Sequence, residues 1–482
     1  MKKIITSLLS IITCLMITLL PIAGNEISTI NFTLHSTVYN YGEAIDQVVL
    51  DTSNLNIDEN SLTTDQFKVL ASATSPYTDE SIIEMIEADG LQHCGLYSNV
   101  ERKIEKVEYV QGKITLFLAT EKDGAGQGTL DFTANFETAK GCNLTLDIDY
   151  TIELLKPLQL QDGSILTNEM VQFIQNDGII NEEIAKFSSG EAMGLKYQLY
   201  TPENSNDGNK HPLIVWLHGG GESGYKGILY NNVAQLKANR GAVTFTTSEA
   251  QEIFGGAYVL APQVPDEWSD HLSDTKALID QIVASYQIDA NRIYLYGCSA
   301  GGYMTLDLVV HNPDYFAAAV ATCPAIDQAN IATYGQGRNI TDEELLSIKN
   351  TPLWLVQAKN DGTVKYEESA LRVYNLLKGN NVILTAYDSV QVDDEIYSGG
   401  HESWVYTALN MPEYNGEHVW QWCAKQVLPV KESVEEKTPN VESKSETTVS
   451  VKTGDDSSLV LYPSLLVVSM SLVGYLFLKK EN

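Results

Sequence analysis

The sequence predicts an α/β domain with a mostly parallel sheet and helices on both faces, preceded by an all-β domain. Short β-favouring runs fill residues 25–155, and buried strands alternate with amphipathic helices over residues 156–430. The length of 482 residues favours two folded units, and the 44% hydrophobic content is enough for two cores. These observations predict the order of the two domains along the chain.

The N-terminal domain is predicted to be a β-sandwich of the immunoglobulin type. About seven β-favouring runs separated by turn residues are typical of that fold. The runs cover residues 27–34, 47–50, 66–71, 103–110, 114–118, 129–136 and 144–154. Cys94 and Cys142 fit either a disulfide or ordinary packing, and their spacing does not decide between the two.

The second domain begins with mixed or helical patterns at 164–176 and 182–188 and continues with alternating strands and helices. The predicted strands are 195–202, 213–217, 257–261, 293–296, 318–322, 353–357 and 382–387, and the clearest helix is 272–286. Buried strands that alternate with amphipathic helices favour a parallel sheet covered on both sides.

A G-x-S-x-G pattern from Gly297 to Gly301 lies between a β-favouring run and a helical run. A strand, a sharp turn and a helix are the setting that exposes a nucleophilic serine. Small neighbours are needed because strand and helix nearly touch there. The pattern predicts Ser299 as a nucleophile.

A serine nucleophile needs a base, a group that orients the base, and donors for the oxyanion. Asp361 follows the predicted strand 353–357, and His401 lies in a glycine-containing loop after the last predicted strand. The chain order Ser, Asp, His is the one found with this kind of nucleophile. The alternatives are a turn aspartate, because Asp-Gly is a common turn pair, and a solvated loop histidine.

The segment from Leu217 to Glu222 contains three glycines directly after a buried strand. Their exposed backbone N–H groups suit an oxyanion hole, with one donor expected from Gly220 or Gly221 and the other from Ala300. A phosphate-binding loop is excluded because the Lys-Ser/Thr pair is missing. His218 is expected to be structural.

Trp268 and Trp404 are candidates for the walls of an acyl or alcohol pocket, with ordinary packing as the alternative. The six cysteines lack CxxC spacing, so no metal site is expected, and no cofactor either. Cys298, beside the nucleophile, is expected to be inert. The net charge of −32 argues against nucleic acid or anionic lipid as a partner.

Both ends of the chain predict targeting segments. Residues 1–24 have the pattern of a secretory signal peptide, 431–458 that of a flexible stalk, and 459–478 that of a membrane-spanning or sorting segment. The tail resembles a bacterial sortase signal, but Ser450 and Val451 occupy the Leu-Pro positions, so a plain membrane anchor stays open. The predicted location is the bacterial cell surface.

Three motifs, residues 217–224, 288–302 and 400–404, resemble the α/β-hydrolase esterases. The branch is the one related to polyhydroxybutyrate depolymerases, feruloyl esterases and prolyl-oligopeptidase-like hydrolases. An immunoglobulin-like domain ahead of such a hydrolase is known in that group. The resemblance implies carboxylic-ester hydrolysis by Ser299, Asp361 and His401.

The resulting hypothesis is a surface-displayed serine esterase that forms an acyl-enzyme. Its substrates would be extracellular, such as acyl or feruloyl esters of polysaccharides. Two alternatives stay open: a prolyl-oligopeptidase-like peptidase, and a binding protein with an inert hydrolase fold. The sequence does not indicate the oligomeric state.

Overall fold

A computed structural model describes residues 27–135, 137–138, 140–327, 338–392 and 394–429. The predicted signal peptide, stalk and membrane or sorting segment lie outside the described residues. Among the described residues, no helix is both long and apolar enough to cross a bilayer.

The N-terminal part consists of short strands and one helix. Its elements are β1 (Ser28–Tyr39), β2 (Gly42–Asp51), β3 (Phe67–Thr74), α1 (Glu80–Ala88), β4 (Gln92–His93), β5 (Tyr97–Arg102), β6 (Ile104–Val110), β7 (Lys113–Leu118), β8 (Leu130–Asn135), β9 (Lys140–Thr145), β10 (Asp147–Leu154), β11 (Leu158–Gln159), β12 (Ile165–Leu166) and β13 (Val171–Ile180). The predicted β-rich character of this part is confirmed.

Two sheets of this part share one core. The order β13-β1-β2-β7-β6 forms a five-stranded sheet and β10-β3-β5 a three-stranded one. Alternate residues of β1, such as Ile30 and Phe32, pack with Val69 of β3 and Ile152 of β10. Burial of every second side chain is what a strand with one core-facing side requires.

A third small sheet, β4-β8-β9, stands apart from those two layers. The helix α1 precedes it, begins after the Asp79 cap and packs Ile86 against Leu91 and Cys142. This helix was not predicted from the sequence, because its nine residues are too few for a clear helical period. Cys142 is buried, Cys94 is exposed, and both thiols are free.

One predicted segment is only partly confirmed. Residues 164–176, predicted to be mixed or helical, contain a short 3₁₀ helix (Asn168–Met170), but the rest forms β12 and the first part of β13, which pairs in parallel with β1. The N-terminal sheet therefore continues to Ile180, beyond the predicted boundary at residue 155. Most side chains of β13 are partly or fully exposed, so its apolar pattern is weak at the edge of the sheet.

The second part is built on eight strands. These are β14 (Phe187–Ala192), β15 (Leu195–Tyr200), β16 (His211–Leu217), β17 (Tyr258–Gln263), β18 (Ile288–Cys298), β19 (Ala318–Thr322), β20 (Leu353–Ala358) and β21 (Val382–Tyr387), in the spatial order β14-β15-β17-β16-β18-β19-β20-β21. In this spatial order, the neighbouring strands β17, β16, β18, β19, β20 and β21 all pair in parallel. The strands β14 and β15 form an antiparallel edge. The predicted, mostly parallel sheet is confirmed.

Helices and short hairpins complete this part. They are α2 (Ala234–Lys237), α3 (Ser248–Phe254), α4 (Leu272–Ser285), α5 (Ala300–His311), α6 (Asp342–Ser347), α7 (Ala370–Leu377), α8 (Trp404–Ala408) and α9 (Val419–Ala424), with β22 (Val390–Val392), β23 (Glu395–Tyr397), β24 (Glu413–Tyr414) and β25 (Glu417–His418).

Each face of this sheet packs against its own helices. Leu213 and Val215 of β16 share a core with α4, α5, α6 and α7, whereas Ile214 and Trp216 of the same strand pack with α3 and α9. Neighbouring side chains of a strand point to opposite faces, so a strand covered on both sides is apolar throughout. This explains why β16 reads as an uninterrupted buried run.

A buried ion pair joins the two parts. Glu43 of β2 accepts hydrogen bonds from Ser36 Oγ at 2.7 Å and Asn181 Nδ2 at 2.8 Å. It also pairs with Lys237 Nζ of α2 at 2.9 Å, and its side chain is 1% exposed. The described residues all belong to one compact unit.

Candidate active site

Ser299 lies at the sharp turn between β18 and α5. Its φ of +54° is unusual for a residue with a side chain and places the hydroxyl above the carboxyl edge of the sheet. A side chain on Gly297 or Gly301 would overlap neighbouring backbone atoms, which explains the small residues of the motif. The local chain therefore folds as the pattern predicts.

The structure brings Ser299, His401 and Asp361 together. His401 Nε2 lies 3.0 Å from Ser299 Oγ, and His401 Nδ1 lies 3.1 and 3.0 Å from the two Asp361 oxygens. With Nδ1–H donating to the carboxylate, Nε2 is left as the acceptor for the serine hydroxyl. The arrangement suits removal of the hydroxyl proton.

Asp361 is held rigidly after β20. Its Oδ1 accepts the backbone N–H groups of Thr363 at 2.9 Å and Val364 at 2.8 Å, and its Oδ2 accepts Gln357 Nε2 at 3.1 Å. The side chain is fully buried. These bonds fix the position of the carboxylate that accepts the His401 Nδ1–H.

His401 lies on a loop between β23 and α8. Gly400 before it has φ +68°, a conformation that suits glycine. The His401 carbonyl accepts the Ser403 N–H at 2.8 Å and the Cys323 thiol at 3.3 Å. The ring stands perpendicular to that of Trp404, at 5.4 Å between centroids. Packing and hydrogen bonds together set the orientation of the imidazole.

The glycine loop follows β16 and is anchored by His218. This ring is fully buried, and burial lowers its pKa to about 4, so it is neutral. Its Nδ1–H donates to the Gly219 carbonyl at 2.7 Å, and Nε2 accepts the Val264 N–H at 3.4 Å. His218 therefore has a structural position, as the sequence analysis expected.

A cavity of about 360 Å³ opens above Ser299. Gly220 and Gly221 form part of its wall, and Ala300 begins α5 directly after the serine. These are the positions from which the predicted oxyanion donors would act. Their role stays a prediction.

The two tryptophans have different places. Trp404 lines the cavity beside His401. Trp268 does not: it is 1% exposed, and its Nε1–H donates to the His218 carbonyl at 2.9 Å. The prediction that Trp268 forms a pocket wall is therefore wrong, because this side chain fills the core behind the glycine loop.

Cys298 and Cys323 are both buried next to the site, and burial raises the pKa of each thiol well above its usual value. Neither thiol is an activated nucleophile. Cys323 also forms, with Asp361 and His401, a group of potential metal ligands within 4.8 Å of one another. Asp361 and His401 are already hydrogen-bonded to each other, so their closeness is explained without a metal ion.

Glu222 is a residue that the sequence analysis overlooked. Its side chain lines the cavity, and one carboxyl oxygen lies 3.1 Å from the point where a Cβ on Gly219 would sit. Burial raises its pKa to about 7, while the N–H groups of Glu222 and Gly219 and the nearby His401 act in the opposite direction. Its place at the end of the glycine motif was the available signal.

The N-terminal part also reaches the cavity, which no motif indicated. Phe132, Ala134 and Asn135 of β8 line it together with Asn239 and Thr363. The cavity is thus bounded by residues from both parts of the chain.

Comparisons with known proteins support a hydrolase. Residues 266–427 match the model of the prolyl oligopeptidase family. The acylamino-acid-releasing enzyme of Mus musculus is 25% identical over 210 residues, covering 38% of this chain and 28% of that protein. The cocaine esterase of Homo sapiens is 26% identical over 196 residues, covering 35% of this chain and 34% of that protein.

Among solved structures, a thermostable esterase superposes with a TM-score of 0.61 and 25% identity. That match covers 83% of this chain and 100% of the esterase chain. The chain thus spans about a third of the length of these two curated relatives but the full length of the solved esterase. Together with the geometry, the comparisons support a serine hydrolase with the α/β-hydrolase fold.

Proposed function

We propose that the protein is a serine carboxylesterase that works through an acyl-enzyme. The observation that carries the proposal is the hydrogen-bonded chain from Ser299 Oγ through the His401 ring to Asp361, with distances of 3.0 Å at both ends. A buried carboxylate, an oriented imidazole and an exposed corner hydroxyl are the groups that acyl transfer needs.

In the proposed reaction, His401 Nε2 takes the Ser299 proton as the serine oxygen attacks the ester carbonyl. Asp361 stabilises the resulting imidazolium without taking the proton. Backbone N–H groups of Gly220 or Gly221 and of Ala300 stabilise the oxyanion. The alcohol leaves with the proton from His401, and water then cleaves the acyl-enzyme by the same steps in reverse.

Ester hydrolysis is favoured by the extent of the structural match. The thermostable esterase is covered over its whole length and includes an equivalent of most of this chain. The match to the acylamino-acid-releasing enzyme covers 38% of this chain, compared with 83% for the thermostable esterase. The evidence for an esterase therefore extends over more of the molecule.

A prolyl-oligopeptidase-like peptidase is the second candidate, favoured by the match of residues 266–427 to that family. The same triad geometry serves amide hydrolysis, so the choice depends on which leaving group the cavity accepts.

The location and natural substrate are proposed from the sequence. Residues 1–24 and 459–478 favour an outward-facing protein held at the bacterial surface, where esters of polysaccharides, including acyl and feruloyl esters, are accessible. The N-terminal layers would then be an immunoglobulin-like domain that precedes the enzyme.

The test uses the purified full chain with p-nitrophenyl esters, a feruloyl ester and a prolyl amide. We expect ester turnover that Ser299→Ala lowers by a factor on the order of 10⁴ to 10⁶. Ser285→Ala, an exposed serine on α4, is the matched control and should keep full activity. Amide cleavage without ester cleavage would favour the peptidase, and turnover that survives Ser299→Ala would refute both candidates.

A further inference from the structure

The wall of the cavity opposite the α/β sheet comes from β8 of the N-terminal part. Phe132 and Ala134, two residues apart on one face of the strand, both line the cavity. Asp131 and Thr133 lie on the other face, where Asp131 binds His93 Nδ1 at 2.5 Å. The register of β8 therefore places an aromatic ring over the cavity that contains Ser299.

The strand β8 is held firmly in this position. Asp131 Oδ1 accepts the backbone N–H groups of Cys94 at 2.8 Å and Gly95 at 2.6 Å. β8 also pairs along its full length with β9. A wall fixed in this way is preorganised, which lowers the entropic cost of binding a ligand against it.

The strand β9 binds the glycine loop directly. Asn143 Nδ2 donates to the Gly221 carbonyl at 3.0 Å, and the Asn143 carbonyl accepts Asn231 Nδ2 at 3.1 Å. A methyl group on Gly221 would lie 3.1 Å from Asn143 Nδ2 and 3.4 Å from the Phe132 ring. The glycine at this position allows the N-terminal sheet to approach the loop closely.

Apolar and ionic contacts support the same junction. Leu144 of β9 and Ile86 of α1 share a buried cluster with Leu229, which follows the glycine loop. Lys226 Nζ binds Asp89 at 2.5 Å beside this cluster. The contact between β9 and the loop is therefore part of a continuous interface.

Phe132 is 38% exposed, although most large apolar residues of this part are buried. Phe132 lines the cavity together with Trp404. Two aromatic walls suit a flat or short apolar group. The cavity volume of about 360 Å³ is at the small end of ligand pockets, which favours a short acyl group or a single ring.

We propose that β8 and β9 are a substrate-binding element of the active site, with Phe132 as a specificity-determining residue and Asn143 as a positioning residue. Phe132 binds the apolar group of an ester whose acyl part is short or a single aromatic ring. Asn143 holds the Gly221 carbonyl so that the N–H groups of the glycine loop face the oxyanion. This inference rests on the proposed esterase function.

The test measures kcat and KM of the full chain for p-nitrophenyl acetate, butyrate and benzoate. Phe132→Ala should raise KM about tenfold for the butyrate and benzoate, with less than about a twofold change for the acetate, because only the larger groups reach the ring. Ile174→Ala on β13 is the matched control, an exposed apolar residue of the same part that is not among the residues lining the cavity.

Asn143→Ala should lower kcat for all three esters by about 10- to 100-fold with little change in KM, since the oxyanion donors act mainly in the transition state. Asn176→Ala removes a similar side-chain hydrogen bond, to Thr33 Oγ1 at 2.9 Å on another strand, and should change neither constant. Should Asn143→Ala fail to fold, Phe132→Trp decides instead, because a larger ring should lower benzoate turnover relative to acetate.

The result also separates this inference from the proposed function. Suppose that Ser299→Ala abolishes turnover but Phe132→Ala affects all three esters equally. That result would overturn the role of β8 and leave the esterase mechanism in place. Turnover that Ser299→Ala leaves intact would overturn the esterase mechanism itself.

Discussion

The two sides of the cavity are built in different ways. On the α/β side, Ser299 and Asp361 follow the ends of the parallel strands β18 and β20, and His401 lies on a loop that folds back over them. Functional groups gather at the carboxyl ends of parallel strands because those ends share one edge of the sheet. On the β side, Phe132 lines the cavity and Asn143 binds the glycine loop, both from within antiparallel strands of a separate small sheet.

The reacting groups and the binding groups are therefore positioned by different physical causes. The reacting groups sit at sites that the local chain geometry creates, such as the φ of +54° at Ser299. The binding groups sit where they do because one part of the molecule docks on another. A change on the α/β side should affect chemistry directly. A change at the junction should affect substrate choice, stability or, through Asn143, the position of the oxyanion donors.

After Ser299→Ala, the largest effect is expected on the α/β side, for Asp361→Asn. An amide in place of the carboxylate favours the wrong tautomer of His401, and in serine hydrolases of known mechanism this costs about 10⁴ in kcat, equal to about 5.5 kcal/mol. Initial rates of p-nitrophenyl acetate hydrolysis measure this loss in kcat. Asp388→Asn is the matched control, at the end of the neighbouring strand β21 and exposed, and it should leave kcat unchanged. Equal activity of the two variants would remove Asp361 from the mechanism.

The next effect is expected at the junction of the two parts, for Lys237→Met. This change leaves the Glu43 carboxylate buried without its cation, which destabilises a protein by about 3–5 kcal/mol. Urea unfolding measures the loss. Lys365→Met, at an exposed pair with Glu368, should change the free energy of unfolding by less than about 1 kcal/mol. Adding Glu43→Gln to Lys237→Met should restore part of the lost stability. The prediction is contradicted if Lys237→Met and Lys365→Met have the same free energy of unfolding.

The same ion pair predicts a pH dependence with a definite sign. Burial alone would raise the pKa of Glu43, but the charge of Lys237 and the hydrogen bonds from Thr129 and Ser36 hold it below its ordinary value of 4.5. A carboxyl whose pKa is lower in the folded protein adds stability above pH 4.5, and this is lost as the pH falls through the folded pKa. The difference in unfolding free energy between Lys237→Met and the natural protein should therefore become small in acid, where the Glu43 carboxyl is protonated.

The sequence predicted the α/β side well because each group there has a local signature. The glycines around Ser299, the strand before Asp361 and the glycine before His401 are all short-range features. The contacts among the three side chains are long-range, but the parallel sheet brings its strand ends together in any such fold. Pattern and topology together were enough to name these residues.

The β side was not predictable in the same way. Asn143 and Phe132 lie in ordinary alternating strand sequence, and nothing near them differs from other strands. Their role depends on how β9 packs on the glycine loop, which is a tertiary contact between residues 78 positions apart. Trp268 illustrates the opposite error, because an aromatic residue near a strand end fits a pocket and a core equally well.

A smaller effect is expected for Glu222→Gln. Glu222 has a pKa raised from 4.5 to about 7, so the folded protein binds its proton more tightly than the unfolded chain does. Its contribution to stability is therefore present below pH 4.5 and is lost as the pH rises toward 7. At about 1.4 kcal/mol for each pH unit, the loss is at most about 3 kcal/mol.

Urea unfolding at pH 5 and pH 8 tests this prediction. Glu222→Gln should gain stability relative to the natural protein at pH 8 and little at pH 5, because glutamine stays neutral at both. Glu413→Gln, at an exposed position on β24, serves as the control and should show no such difference. A gain that is the same at both pH values would mean that the Glu222 carboxyl titrates normally.

The smallest effect is expected for Cys323→Ala. This variant shows whether the thiol orients His401 or only contributes to stability. The Cys323 thiol is a weak donor to the His401 carbonyl at 3.3 Å, so its loss should let the imidazole move and lower kcat about two- to fivefold. Cys423→Ala is the matched control: it is equally buried, on α9, and packs against Tyr296 and Trp420 on the other face of the sheet. Each variant should lose about 1 kcal/mol of stability through the removed sulfur. If both variants lose the same stability and only Cys323→Ala loses activity, the thiol acts through His401; if both keep full kcat, the loop geometry alone orients the imidazole.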